Sequence, residues 1–153
     1  MANLLQNQYE SVFTKPDHSN IDQAVDAVDS GEIPEMPNVT FSTEDIVETI
    51  DTLSFNAASG PDGFPAALLK NCKSTLATPL ALFWRNCLEL DKTPLLLKTS
   101  DIAPIFKGGD QGDASNYQPV ALTSHITKIF EKVIRKKMVE HFKTNKLFND
   151  SQH

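Results

Sequence analysis

Two prolines, each set inside a short apolar run, constrain this chain more than any other feature. The runs are Ile102 to Phe106 and Tyr117 to Leu122, and the stretch between them is polar and rich in Gly, Asp and Ser. Short apolar runs divided by turn-forming residues are the pattern of a β-hairpin with a long tip. Pro104 and Pro119 have no amide N–H to give to a ladder, so both strands are edge-like. Alternation along the first strand sets Ile102, Pro104 and Phe106 on one face and Ala103, Ile105 and Lys107 on the other. Lys107 therefore stands at the strand's end where the glycines open the tip, a mobile point charge beside flexible backbone.

The rest of the chain reads mostly as helix. Leu4, Leu5, Tyr9, Val12 and Phe13 recur at helical spacing and predict a short amphipathic helix ending near Pro16. Residues 15–38 carry Pro16, Pro34, Pro37 and several acids with little apolar periodicity. That is an acidic linker with at most one helical turn around Ala24 to Val28. Asp22, Asp26 and Asp29 read there as a solvated face and not as a metal cluster. Ser42 with Asp45 three positions on forms a capping box, and Phe41 with Ile46 forms a hydrophobic staple. A helix from Thr43 to Leu53 follows, with Ile46, Val47, Ile50 and Leu53 inward.

After it, Gly60 and Gly63 flank Pro61 and Asp62 in a tight turn, and Pro65 opens a helix running to about Cys72. Asp62 reads as part of this helix-to-helix corner. Thr78 and Pro79 look like an N-cap and first helical residue. Leu80, Phe83, Trp84, Cys87 and Leu88 then form one apolar stripe, which makes Trp84 a core residue and not a base-stacking platform. Asp91 to Pro94 break that helix. The last helix runs from Ser124 to about Lys143, with Ile126, Ile129, Phe130, Val133, Ile134, Met138 and Phe142 inward. Its outer face carries Lys128, Lys132, Arg135 and Lys136, with Glu131 and Arg135 spaced to pair. Such a face is either simply solvated or in contact with a nucleic-acid backbone, which needs only exposed positive charge.

A chain of 153 residues suits one domain, here an α+β, predominantly helical fold with about five helices and one antiparallel hairpin. The net charge of −6 is unevenly spread, −11 over residues 1–63 and +5 over 64–153. That excludes a chain coating nucleic acid throughout, yet allows one face of the later half to meet phosphate. No apolar run approaches the ~20 residues that cross a bilayer, and the N-terminus lacks a basic region followed by an apolar core. The expectation is an intracellular protein, nuclear or cytoplasmic, not secreted and without a membrane partner. Cys72 and Cys87 show neither metal-ligand spacing nor a disulfide framework and read as small buried thiols. His18, His125, His141 and His153 have no metal-ligand spacing. There is no GxSxG or P-loop, and Ser124 beside His125 is a helix start, not a dyad.

Several blocks resemble the reverse transcriptases of non-LTR (LINE-type, jockey-like) retrotransposons. They are SGPDGFP (Ser59 to Pro65), PIFKGGD (Pro104 to Asp110), NYQPVALTS (Asn116 to Ser124) and KIFEKVIRKKMVEHF (Lys128 to Phe142). SVFT (Ser11 to Thr14) and NDSQH (Asn149 to His153) extend the likeness towards both ends. The resemblance implies that residues 1–40 form an N-terminal helix and acidic linker. Residues 41–153 would be a partial reverse-transcriptase domain, the fingers, cut before the palm. It implies an RNA template, a DNA primer and a nucleotide as partners.

In that setting Lys107 and the residue before Pro119 clamp the nucleotide's phosphates, and Lys128, Lys132, Arg135 and Lys136 meet nucleic acid. The family typically has Arg at the second clamp position, where this chain has Gln118. The aspartates that bind Mg2+ in the complete enzyme lie in the palm. The resemblance therefore leaves this stretch with no catalytic residue, metal ligand or cofactor of its own, and with a palm to be supplied from outside it or by another copy. It implies poor solubility or self-association, with Phe106, Val120 and parts of the last helix exposed. The alternative is a small helical module, derived from such an element, that binds nucleic acid or protein.

Overall fold

The computed structural model describes residues 2–12 and 34–148. Expectations for Phe13 to Pro16, for most of the acidic linker with its three aspartates, and for Asn149 to His153 lie outside the described residues. Within them are five α-helices and a two-stranded antiparallel sheet, an α+β fold that is mostly helical, as the sequence predicts. No helix among the described residues is long and apolar enough to cross a membrane. The described residues divide into two compact units, 2–12 and 34–35 with 103–120, and 36–102 with 121–148.

The larger unit is helical. α2 (Thr43–Asp51) starts where the sequence places it, with the Asp45 amide donating to Ser42 Oγ at 3.0 Å and the Asp45 carboxylate reaching back to the Ser42 backbone. That reciprocal pair satisfies two of the four orphan donors of the first turn. Thr52 caps its end, and Lys70 reaches over to donate to the carbonyls of Asp51 and Leu53 at 2.8 and 2.7 Å. A cation there meets the negative end of the helix dipole. Lys70 lies on α3 (Ala66–Asn71), so this contact fixes the α2–α3 corner.

α4 (Lys73–Glu89) corrects one expectation: it begins five residues before Thr78, with Pro79 inside it. The Cys72 carbonyl accepts from Leu76 N–H at 2.9 Å and starts the helix at the corner. Starting there buries Ala77 against the core, whereas a start at Thr78 would leave it outside the helix. Burial outweighs the missing donor of Pro79. α4 ends with Asp91 at φ 51° and Lys92 N–H donating to the Cys87 carbonyl at 3.0 Å, a Schellman closure made without glycine. α5 (His125–Thr144), capped by Ser124, completes the unit and ends the same way at Lys146.

The core is a column of rings. Trp84 lies 4.2 Å from Phe130, and Phe130 lies 5.4 Å from Phe41, each pair stacked. Stacked pairs contribute about 0.5–1.5 kcal/mol beyond their buried area. Ile46, Ile50, Leu69, Ile129 and Val133 close around them. Trp84 is thus a core residue, fully buried. Met138, expected inward, is exposed, because the inward face of α5 passes through Ile129 and Val133 and leaves that position to solvent. Cys72 and Cys87 are free and only partly buried, not fully as expected, and burial raises the Cys87 thiol above its ordinary value.

The smaller unit holds α1 (Ala2–Val12), in which Tyr9 is buried, together with the tip and the adjoining strand residues of the hairpin. The strands are β1 (Ser100–Phe106) and β2 (Tyr117–Thr123). Lys107 N–H donates to the Asn116 carbonyl at 2.9 Å, and the Phe106 and Tyr117 rings lie 5.3 Å apart. This register sets Lys107 opposite Asn116, Phe106 opposite Tyr117, Ile105 opposite Gln118 and Pro104 opposite Pro119. The two prolines share a non-hydrogen-bonded position, where both N–H directions point away from the partner strand. Neither removes a ladder bond, and each blunts an outer edge of the hairpin. Phe106 and Val120 are exposed, as expected.

Candidate functional site

The hairpin tip is shaped by its own backbone. Gly108 and Gly109 adopt φ +120° and +96°, a conformation that costs side-chain-bearing residues dearly. A Cβ on Gly109 would also lie 2.7 Å from Asn116 Nδ2. That close approach lets Asn116 donate to the Asp110 carbonyl at 2.9 Å. Asp110 accepts from Gly112 N–H at 2.8 Å, Asp113 from Ser115 N–H at 2.9 Å, and the Tyr117 hydroxyl donates to the Gln111 carbonyl at 3.1 Å. The Ser115 backbone N–H, followed by its hydroxyl, holds the Asp113 carboxyl below its ordinary value. Both tip aspartates are thereby occupied in fixing the loop.

Lys107 and Gln118 follow from the register. Gln118 lies opposite Ile105, two residues before Lys107, so both point to one face as diagonal neighbours, and both are exposed. Side chains at such positions stand roughly 7–8 Å apart at their bases and can reach one ligand together. Neighbouring backbone contributes no bulk at Gly108, where an added Cβ meets nothing within 4 Å.

The four cations expected on the last helix divide. Lys132, Arg135 and Lys136 line an open groove of about 840 Å³ between α5 and α2, whereas Lys128 is half-buried and outside it. Lys143 joins them, a residue the sequence reading assigned no role although it lies seven positions, two turns, after Lys136. The expected Glu131–Arg135 pairing is not among the salt bridges of the described residues. Instead the cations reach α2: Lys136 pairs with Glu48 at 2.7 Å and Asp45 at 3.6 Å, Lys137 pairs with Asp45 at 3.4 Å, and Lys132 donates to Thr52 Oγ1 at 2.8 Å. The Glu48 hydrogen bond and charge, then Asp45, raise the Lys136 amine above its ordinary value.

A third feature escaped the sequence reading. The Ser124 hydroxyl donates to Asp62 Oδ2 while Ser124 Oγ accepts from Ile126 N–H at 3.0 Å. Asp62 Oδ1 in turn accepts from Phe64 N–H at 3.3 Å. The Gly-Pro-Asp-Gly corner is thus tied to the N-terminus of α5. These residues lie far apart in sequence, and only the recurrence of both in the resemblance blocks hinted at a link. Among the described residues no group of three or more His, Cys, Asp or Glu is placed to hold a metal ion.

The described residues therefore define a helical unit with a charged groove and a proline-edged hairpin presenting a lysine and an amide on one face. No family model matches the chain. It is similar to a curated protein of Drosophila melanogaster, "Probable RNA-directed DNA polymerase from transposon BS", with 27% identity over 155 residues. The match covers 99% of this chain and 17% of that relative.

Proposed function

We propose that this chain is the fingers portion of an RNA-directed DNA polymerase of the LINE-type, jockey-like retrotransposon group, with the hairpin gripping the incoming nucleotide. The observation that carries the reading is the common face of Lys107 and Gln118 beside a hydrogen-bonded tip, in a chain of which 99% aligns with 17% of a protein named a probable transposon RNA-directed DNA polymerase. A lysine ammonium is a compact charge suited to a triphosphate. Gln118 can donate through its amide but supplies neither charge nor a guanidinium's bidentate fork, so the grip is weaker than a Lys–Arg pair would give. Lys128, Lys132, Arg135 and Lys136 supply positive charge for an RNA template or DNA primer.

Polymerisation needs two divalent ions, Mg2+ in this group, held by carboxylates. The described residues do not fit such a centre, and no chemical step is assigned to them. The carboxylates come from residues beyond those described or from another copy. In a primer-extension assay with Mg2+, a preparation of these 153 residues is expected to add no nucleotide to a DNA primer on an RNA template. Photocrosslinking with a dUTP analogue that carries an aryl azide on its γ-phosphate should label the peptide containing Lys107 or Gln118. Extension, or labelling confined to other peptides, would contradict the reading.

A further inference from the structure

We propose that α1 is a brace for the hairpin tip, with Tyr9 the positioning residue through which it fixes the place of Lys107. The inference rests on the nucleotide-grip reading and concerns a helix to which that reading gives no part. α1 and residues 103–120 lie far apart in sequence but belong to one compact unit. Within it α1 packs against the short turn Ala114–Asn116. Tyr9 is only 8% exposed and Leu5, one turn before it, is half-buried, whereas Leu4 and Val12 are exposed. The helix thus commits one narrow stripe to packing and leaves the rest to solvent.

Neither partner is stable alone. α1 has 11 residues, with no acid in its first turn and no base in its last, and isolated helices shorter than about 12–15 residues are marginal in water. A lone two-stranded hairpin is marginal as well, and packing against a helix is one way it becomes stable. Lys107 to Asp113 are all exposed, so the tip's burial has to come from its return side, where Ala114, Asn116 and Tyr117 are half-buried on and beside the turn that α1 meets. Asn116 joins that turn to the other strand. Its carbonyl accepts from Lys107 N–H at 2.9 Å, and its side chain donates to the Asp110 carbonyl at 2.9 Å. A helix that immobilises the turn therefore also immobilises the backbone from which the Lys107 ammonium extends. Among the described residues the buried Tyr9 hydroxyl has no hydrogen-bond partner. The brace is accordingly the ring, and removing the hydroxyl breaks no contact.

The test uses the full chain with Tyr9→Ala, Tyr9→Phe and Leu5→Ala, measuring amide hydrogen exchange of residues 107–117 and affinity for dTTP by titration calorimetry. Exchange reports local opening short of global unfolding, and an affinity falls in proportion to the fraction of molecules whose site is competent. Tyr9→Ala should accelerate exchange across the tip and weaken dTTP binding about ten-fold, which corresponds to a tip in place roughly a tenth of the time. Leu5→Ala should do both to a smaller extent, and Tyr9→Phe should match the parent in both. In a Lys107→Ala background Tyr9→Ala should change dTTP affinity less than about two-fold, because its effect passes through Lys107. The emission of Trp84, the chain's single tryptophan and buried in the core of the larger unit, should be the same in every variant.

Unchanged exchange in both Tyr9→Ala and Leu5→Ala overturns the brace, as does a Tyr9→Phe protein as impaired as Tyr9→Ala. Faster exchange with full dTTP affinity, in a chain whose affinity does depend on Lys107, overturns the positioning role. An equal loss of affinity from Tyr9→Ala with and without Lys107 overturns it too. If exchange of the tip accelerates as expected but dTTP affinity ignores Lys107 altogether, the nucleotide grip falls while the brace of the tip stands.

Discussion

At the scale of single residues, Gly60 shows how much of this molecule depends on backbone approaching backbone. A Cβ at Gly60 would lie 2.5 Å from Ser124 N and 2.6 Å from the Thr123 carbonyl carbon, distances that real side chains do not reach. Neither contact is a flexible side chain that can swing away, so the Gly-Pro-Asp-Gly corner would have to part from the N-terminus of α5 and loosen the Asp62–Ser124 hydrogen bond. Overpacking of this kind typically costs about 1–3 kcal/mol. Gly60→Ala is therefore expected to lower the unfolding free energy by that amount, read as a lower urea midpoint at an unchanged m-value, whereas Ala58→Gly nearby should act only through backbone entropy, about 0.4–1 kcal/mol. A Gly60→Ala protein as stable as the parent would remove this corner from the account.

At the scale of elements, Asp45 joins two helices. It completes the cap of α2 and faces Lys136 and Lys137 of α5. Burial pushes its carboxyl up, but the Ser42 hydroxyl, the Lys137 charge and the Ser42 amide together outweigh that and hold it below its ordinary value. A carboxyl lowered in the folded state stabilises that state fully above its unfolded value, about 3.9, and the contribution vanishes as pH falls through the lowered folded value. The Asp45→Asn protein should thus be less stable than the parent at pH 7, and the gap between their urea midpoints should close as pH drops below about 4. A gap independent of pH would mean that the charge of Asp45 contributes nothing.

Elements differ in how plainly the sequence announces them. The capping box at Ser42 and Asp45 was legible because every atom it needs lies within one turn, and the hairpin because Gly, Asp and Pro punctuate it. The start of α4 was not: Thr78–Pro79 is a good local signal, and it lost to the burial of Ala77, which depends on distant residues. The groove was half legible. Periodicity placed Lys132, Arg135 and Lys136 on one face, but no local rule indicates that α2 supplies the opposite wall with Glu48 and Thr52. The Asp62–Ser124 link joins positions far apart in sequence and has no local signature at all.

At the scale of the molecule, the proposed function rests on what the hairpin presents. The prolines paired at Pro104 and Pro119 spoil both outer edges for strand addition, and one face of the hairpin carries Lys107 and Gln118. The relative along which this chain aligns is named an RNA-directed DNA polymerase, and the chain spans 17% of its length. The fingers reading makes Gln118 a weakened half of a phosphate grip. A charge-assisted hydrogen bond contributes about 1.5–3 kcal/mol, which corresponds to roughly a ten- to hundred-fold change in affinity. The decisive measurement is the equilibrium affinity of this chain for a deoxynucleoside triphosphate in parallel with its Gln118→Arg and Lys107→Ala variants. The account predicts that Gln118→Arg binds at least ten-fold more tightly and that Lys107→Ala binds more weakly. Equal affinity in all three would contradict it.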